Sequence, residues 1–191
     1  AGANAASAAR ASVWDQRFLA VLGCFFLSGF AGLLYETAWT RQFALVFGTS
    51  ELAVVTVLAG YFGGLSLGAA LAGRYIDRIT RPILTYGLLE LGIAVSAIGL
   101  PYAIGASTQL YVSIFGGASD SIETGGLVTA GFYLVCSFVI LLVPTAMMGA
   151  TLPLLARYAV TDDRQIGPRV GLLYAVNTLG AVAGTLVAAF M

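Results

Sequence analysis

Five long uncharged runs constrain this chain more than any other feature of its sequence. They cover residues 18–35, 52–73, 82–104, 124–156 and 170–191, and they are interrupted only by Glu90 in the third run. About 20 apolar residues in a helix cross the hydrocarbon core of a bilayer, whereas an isolated strand leaves its backbone unsatisfied in lipid. The pattern therefore predicts an all-α fold, a polytopic transmembrane helix bundle with about five spans.

The composition supports a membrane protein and excludes several kinds of site. The chain is 59% hydrophobic and 9% charged, whereas soluble domains carry about 25% charged residues. Its zero formal net charge gives no indication of nucleic acid as a partner. Histidine and lysine are absent, so the sequence excludes a histidine metal site, a Schiff-base lysine and a complete phosphate loop. Because Cys24 and Cys136 form no CxxC pair either, we expect no metal and no cofactor.

The sequence divides into a short tail and a helical domain. Residues 1–16 are small and polar, which predicts a flexible cytoplasmic N-terminal tail before a transmembrane domain over residues 17–191. One helix over residues 17–47 would be about 46 Å long, too long for an upright span, so we expect it to tilt, kink or protrude.

Two other regions are also longer than a simple span. In the run 124–156, Pro144 and Gly149 offer a natural bend or break. We then expect residues 147–160 to lie along the membrane interface. Residues 105–117 are expected to form a short surface or re-entrant helix.

The arginines predict an orientation. If five spans start in the cytoplasm, eight of the nine arginines fall on the inner side, and Arg41 is the exception. Arginine in short loops marks the cytoplasmic side of a membrane protein. The distribution predicts a multi-pass protein with a cytoplasmic N-terminus. The eight are Arg10, Arg17, Arg74, Arg78, Arg81, Arg157, Arg164 and Arg169.

Small residues recur at helical spacing in two of the runs. Residues four apart share a helix face, and small faces let helices approach closely where lipid provides no hydrophobic driving force. We expect close packing within the chain, and a homodimer contact or a sliding surface stay open as alternatives. Leu65 is expected to face lipid. The glycines of these faces are Gly60, Gly64 and Gly68 in the second run and Gly180 and Gly184 in the fifth.

Four polar residues at membrane depth are the candidates for a functional site. Burying a charge there costs at least ~2.5–3.5 kcal/mol, which singles out Glu36, Arg41 and Glu90. Glu36 and Arg41 are five residues apart and so lie about 140° apart on a helix; we expect one of them to reach Glu90. Asn177 is expected to form an interhelical hydrogen bond. A satisfied structural pair and an ion or substrate pathway remain the two alternatives.

The stretch "GRYIDRITRP" (73–82) resembles the loop between the second and third helices of major facilitator superfamily transporters. Gly73, Asp77, Arg78 and Arg81 match that pattern, whereas Thr80 and Pro82 depart from it. The resemblance implies about half of a facilitator fold. It also implies that this inner loop forms a charged latch between helices.

Longer stretches resemble the membrane region of spermidine synthase-like membrane proteins. They are "FLSGFAGLLYETAWTRQFALVFGTS", "GATLPLL" and "GLLYAVNTLGAVAGTLVAAF", and the resemblance covers nearly all of residues 18–191. In that family a facilitator-like region precedes a soluble aminopropyltransferase-like domain, which is not in this sequence. We therefore expect no enzymatic activity from this chain. We also expect either a native product that continues beyond Met191 or a half-size relative completed by a partner subunit.

Three functions follow as hypotheses for a protein of the bacterial inner membrane. The first is an anchor, scaffold or transport-related module of a spermidine synthase-like protein. The second is an accessory subunit of a larger membrane complex, with other membrane subunits as partners besides the lipid bilayer. The third is a facilitator-like carrier of a small solute, with a cation as one candidate. A carrier requires a cavity lined by Glu36, Glu90 or Asn177, whereas a scaffold requires these groups to satisfy one another.

Overall fold

The protein is a bundle of five long α-helices. A computed structural model describes residues 16–47, 51–115, 122–160 and 162–190. Its helices are α1 (Gln16–Phe47), α2 (Glu51–Tyr75), α3 (Pro82–Phe115), α4 (Ile122–Ala159) and α5 (Ile166–Ala189), with 3-10 turns at Ile76–Arg78 and Asp163–Gln165. All five helices are long and apolar enough to cross a membrane. The predicted helical bundle with five spans is thereby confirmed, whereas the tail 1–15 lies outside the described residues.

The five helices pack as two groups. Helix α2 packs most extensively against α4, and α3 covers another side of α4. Helix α1 packs most extensively against α5. Contacts between the α1–α5 pair and the other three helices are much fewer, and the candidate site lies along this junction.

Two clusters of buried side chains show that successive helices run in opposite directions. The first cluster joins Phe18, near the start of α1, to Tyr86 near the start of α3 and to Leu155 near the end of α4. The second joins Phe43, near the end of α1, to Val57 near the start of α2 and to Ile104 in the second half of α3. Each cluster therefore marks one end of the bundle.

Helices α3 and α4 are longer and more continuous than the sequence predicts. Residues 105–115 continue α3 past Pro101, so the expected separate surface helix is wrong. Helix α4 likewise continues through Pro144, Gly149 and Pro153, so the helix does not break there. The interfacial location of residues 147–160 stays a prediction. Prolines are tolerated in membrane helices where neighbouring helices support the backbone.

Buried packing on both sides of the α4 prolines provides that support. Leu141 and Leu155 are completely buried, and Leu154 is nearly so. At 1.5 Å per residue the 38 residues of α4 span about 57 Å. Because the hydrocarbon core is about 30 Å thick, α4 must tilt or protrude.

Glycines bring the helix backbones into direct contact in both groups. A Cβ atom on Gly64 or Gly68 of α2 would overlap Thr145 or Ala146 of α4. In α5, a Cβ on Gly180 or Gly184 would overlap the carbonyl oxygens of Phe26 and Phe30. Gly60 makes looser contact, since its Cβ would lie 3.4 Å from the Cα of Phe138.

Leu65 does not face lipid as expected. It packs against the second buried cluster, and its backbone carbonyl lies where a Cβ on Gly149 of α4 would sit. The outward-facing leucines of α2 include Leu58, Leu67 and Leu71, whose side chains are 37%, 43% and 46% exposed. The packed face of α2 is thus wider than the row of glycines spaced four residues apart. It also includes Leu65, which directly follows Gly64.

A buried arginine fastens three helices at the end of the bundle where α1 and α5 begin. The guanidinium of Arg169 donates a hydrogen bond to the carbonyl oxygen of Ala159, at the end of α4. It also lies over the ring of Phe18 on α1, 5.0 Å from the ring centroid. The side chain is only 8% exposed. Arg169 is therefore a packing residue rather than a solvated loop charge.

Candidate functional site

A cavity of about 270 Å³ lies where the two helix groups meet. Helices α1, α2, α4 and α5 all contribute side chains to its wall. Phe62, which is 60% exposed, marks the side on which the cavity reaches the surface of the bundle. The polar residues of the wall are Ser28, Glu36, Tyr61, Thr151 and Asn177.

Glu36 is the acidic residue of this cavity. It lies on α1, and its side chain is partly buried. Among the described residues, no arginine pairs with Glu36 and no side chain donates a hydrogen bond to its carboxylate. Tyr61 of α2 lies close enough to interact with Glu36 electrostatically. The carboxylate is therefore the group in this wall that can receive a ligand without first giving up a partner.

The other polar groups of the wall already contribute to packing. The Tyr61 hydroxyl lies 3.4 Å from the carbonyl oxygen of Gly32 and joins α2 to α1. The Thr151 hydroxyl donates to the Met148 carbonyl in its own helix, over 2.6 Å. Asn177 Nδ2 donates to the Phe25 carbonyl of α1, over 3.1 Å. Asn177 thus makes the kind of interhelical bond that the sequence suggests, while it also lines the cavity.

Glu90 lies in a second, smaller cavity of about 80 Å³. Ser28, Gly32 and Met148 form part of the wall of both cavities, so the two are neighbours. The hydroxyl of Tyr86, one turn earlier on α3, is hydrogen-bonded to Glu90 and to Ser28. Within the described part of the chain, the Oε1 atom of Glu90 is buried and has no hydrogen-bond partner.

The expected link between Glu90 and Glu36 or Arg41 does not form. Arg41 is exposed, and its guanidinium donates to the Ala188 carbonyl at the end of α5, over 2.9 Å. Glu36 and Glu90 line separate cavities. Arg41 lies six residues beyond Tyr35, the last α1 residue in the wall of the Glu90 cavity, and its guanidinium extends to the end of α5 instead.

The inner-loop residues lie away from both cavities. Gly73, Asp77, Arg78 and Arg81 are all exposed, at the end of α2 and in the turn that follows. The guanidinium of Arg78 lies over the ring of Tyr75, 5.3 Å from its centroid. No ion pair joins these residues to another helix in the described structure, and the charged latch implied by the family resemblance stays a prediction.

Several residues of the cavity wall were not singled out from the sequence. Tyr61, Phe62 and Met148 look like ordinary span residues, and Ser28 and Thr151 lie unnamed within the family-like stretches. Only the positions of α2 and α4 relative to α1 bring Tyr61, Phe62, Met148 and Thr151 beside Glu36. The aromatic pair Tyr61 and Phe62 directly follows Gly60 on the close-packed helix α2. This pair is the sequence feature that could have indicated the cavity wall.

Comparison with known proteins gives no relative. No protein-family model, no curated protein and no solved structure matches the chain. The function must therefore be argued from the site itself.

The chemistry of the larger cavity suits a small organic cation. A carboxylate supplies the negative charge, and Tyr61 and Phe62 supply aromatic rings of the kind that attract alkylammonium and guanidinium groups. The rest of the wall is mainly apolar, from Gly32, Leu33 and Leu65 to Met148. Its volume lies just below the ~300–1,000 Å³ of most small-molecule sites, which limits the ligand to a few heavy atoms. Among the described residues, no group of three or more acidic or cysteine side chains is arranged to hold a metal.

Proposed function

We propose that this protein is a transport-related membrane module that binds a small organic cation between its helices. The observation that supports this most is Glu36, whose unpaired carboxylate lines a cavity between two loosely joined helix groups. Intramembrane carboxylates are costly unless a partner or a pathway uses them. A cation at Glu36 supplies that partner.

The two helix groups also provide a way for a bound solute to move. Each group is held together by glycine-mediated backbone contacts, whereas few contacts join the groups across the cavity. Relative rocking of two rigid groups about a central site is the common mechanism of secondary transporters. In this proposal the α1–α5 pair moves against α2, α3 and α4.

The membrane context of the proposal follows from the sequence. The arginine distribution supports a cytoplasmic N-terminus. The family resemblance supports a bacterial inner membrane as the location, with the chain as the membrane region of a spermidine synthase-like protein.

A binding experiment tests the proposal directly. Purified protein in lipid nanodiscs would be titrated with tetramethylammonium, guanidinium and ethylammonium, and with acetate as an anion control, while intrinsic Trp and Tyr fluorescence is recorded. We expect saturable binding of at least one cation and none of acetate. The isosteric change Glu36→Gln should abolish binding, whereas Asp77→Asn, at an exposed carboxylate outside the cavity, should preserve it. Equal binding by wild type and Glu36→Gln would contradict the proposal.

A flux experiment separates a carrier from a static binding module. Proteoliposomes loaded with the bound cation would be diluted into cation-free buffer, and release would be followed over time. Release that depends on Glu36 supports transport. Binding without release supports an anchor or scaffold that holds its ligand in place.

An accessory subunit is the second candidate, and one observation favours it. Only 17–33% of each span is buried inside the chain, so most of the helix surface needs a covering of lipid or of other subunits. Purification from native membranes in mild detergent tests this candidate. Stoichiometric co-purification of another membrane protein would support it, and a monodisperse single chain would argue against it.

A further inference from the structure

Three arginines lie close together at the end of α2 and in the turn after it. Arg74 is in the last turn of α2, Arg78 is in the 3-10 turn, and Arg81 directly precedes α3. All three side chains are exposed, and none forms an ion pair in the part of the chain that the structure describes. With Asp77 as the one acidic residue, the segment 74–81 carries a net charge of +2 (three arginines and one aspartate).

The positions of the neighbouring apolar side chains place these arginines at a membrane boundary. Leu71 and Tyr75 on α2 are 46% and 44% exposed, and Ile83 and Leu84 at the start of α3 are 38% and 54% exposed. Exposed apolar residues thus flank the charged segment on both helices. In a bilayer, the guanidinium groups would lie just beyond the acyl region, at the depth of the lipid phosphates.

We infer that segment 74–81 binds the phosphate headgroup of an anionic phospholipid. Arginine suits this role because its planar guanidinium donates two parallel hydrogen bonds to a phosphate. Arg74 lies in the last turn of α2 and Arg78 ends the 3-10 turn that follows directly, so both lie at the same end of the helix. Cation–π contact with Tyr75 holds the Arg78 guanidinium in place. Basic residues next to a span also attract anionic lipid electrostatically.

The arrangement favours a lipid over a soluble phosphate. The charged side chains of the segment are all exposed, so they offer a free anion little enclosure. A lipid gains in addition the contact of its acyl chains with Leu71, Ile83 and Leu84. The inference does not depend on a cation site at Glu36, and it requires only that the protein spans a membrane.

Native mass spectrometry of the purified protein tests the inference. The protein in detergent would be mixed with phosphatidylglycerol or with phosphatidylcholine, and the number of retained lipids would be compared. We expect the wild type to retain phosphatidylglycerol preferentially and to lose this preference at high salt, which screens exposed charges. Equal retention of the two lipids would overturn the inference.

Matched variants locate the effect on the segment. The triple variant Arg74→Gln/Arg78→Gln/Arg81→Gln should lose the preference for phosphatidylglycerol. The control Arg157→Gln/Arg164→Gln removes exposed arginines from the same end of the bundle and should keep the preference. Preference that survives in the triple variant, or that is lost equally in the control, would overturn the inference. If the triple variant does not fold, the single change Arg78→Gln, in an exposed turn, should still weaken the preference.

A competition experiment distinguishes a lipid from free phosphate. Inorganic phosphate would be added to the wild type with bound phosphatidylglycerol. The control is a chloride solution of equal ionic strength that does not displace the lipid. We expect the lipid to remain bound in the phosphate solution as well. Displacement by phosphate but not by chloride would identify a site for free anions and would overturn the lipid assignment.

Discussion

Asn177 of α5 and Phe25 of α1 are joined by a hydrogen bond, from the Nδ2 atom of the amide to the backbone carbonyl oxygen over 3.1 Å. The bond lies beside Gly29, where a Cβ atom would overlap the backbone of Asn177. A side chain at Gly29 would therefore push the two helices apart and break the bond. The close approach of α1 and α5 depends on this glycine as much as on the amide.

Removal of the amide should weaken the α1–α5 pair only modestly. Interhelical hydrogen bonds in membranes contribute ~0.6 kcal/mol on average and at most ~1.7 kcal/mol. We therefore expect Asn177→Ala to lower the free energy of unfolding by ~0.6–1.7 kcal/mol. Thermal unfolding in detergent, followed by circular dichroism, measures the change. The control is Thr178→Ala, whose exposed hydroxyl bonds only to the Tyr174 carbonyl in its own helix. Equal melting temperatures for the two variants would show that the interhelical bond contributes nothing.

Two adjacent glycines of α2 provide an internal test of helix packing. A Cβ on Gly64 would overlap the Thr145 hydroxyl and lie 2.8 Å from its Cβ, whereas a Cβ on Gly63 would meet only the Phe138 ring at 3.6 Å. Overpacking of this kind costs ~1–3 kcal/mol, so we expect Gly64→Ala to destabilise by that amount. Gly63→Ala should leave stability nearly unchanged. The comparison fails if chemical unfolding gives the two variants the same stability.

The fold was largely accessible from the sequence because lipid imposes simple rules. Uncharged runs of sufficient length had to be helices, and glycines four residues apart had to lie on one face, as Gly64 and Gly68 do against α4. Helix ends were harder to predict. Pro144 and Gly149 signalled a bend or break by local propensity, but packing of α4 against α2 and α3 keeps the backbone helical through these positions.

The candidate site was only partly accessible. Charge in an apolar run was enough to single out Glu36 and Glu90, because such charges are costly. Their partners depend on helix rotation, which no local pattern encodes. Arg41 therefore seemed able to reach Glu90 but instead caps the end of α5 through Ala188. Glu90 instead pairs with Tyr86, which is also hydrogen-bonded to Ser28, and the role of these common residues appears only once α3 is placed beside α1.

Arg169 is expected to contribute more to stability than any exposed arginine. A hydrogen bond from a charged group contributes ~1.5–3 kcal/mol, and a desolvated cation–π contact contributes ~2 kcal/mol. The contacts with Ala159 and Phe18 belong to one side chain, so their contributions do not simply add. We expect Arg169→Ala to lower the free energy of unfolding by about 2–3 kcal/mol. Chemical unfolding of the purified protein measures the loss. Arg164→Ala is the control, since that side chain is exposed, and a similar loss in both variants would contradict a packing role for Arg169.

The orientation of the bundle can be tested by labelling from outside the cell. Arg78 and Asp162 are exposed in the turns at the arginine-rich end, and Ser113 is exposed near the opposite end, late in α3. Each would be changed to cysteine in a background that carries Cys24→Ala and Cys136→Ala. Since short arginine-rich loops stay in the cytoplasm, we expect a membrane-impermeant maleimide to label intact cells at Ser113→Cys alone. All three variants should be labelled after permeabilisation, which controls for accessibility. Labelling of Arg78→Cys or Asp162→Cys in intact cells would reverse the orientation, and with it the leaflet from which the segment 74–81 takes its lipid.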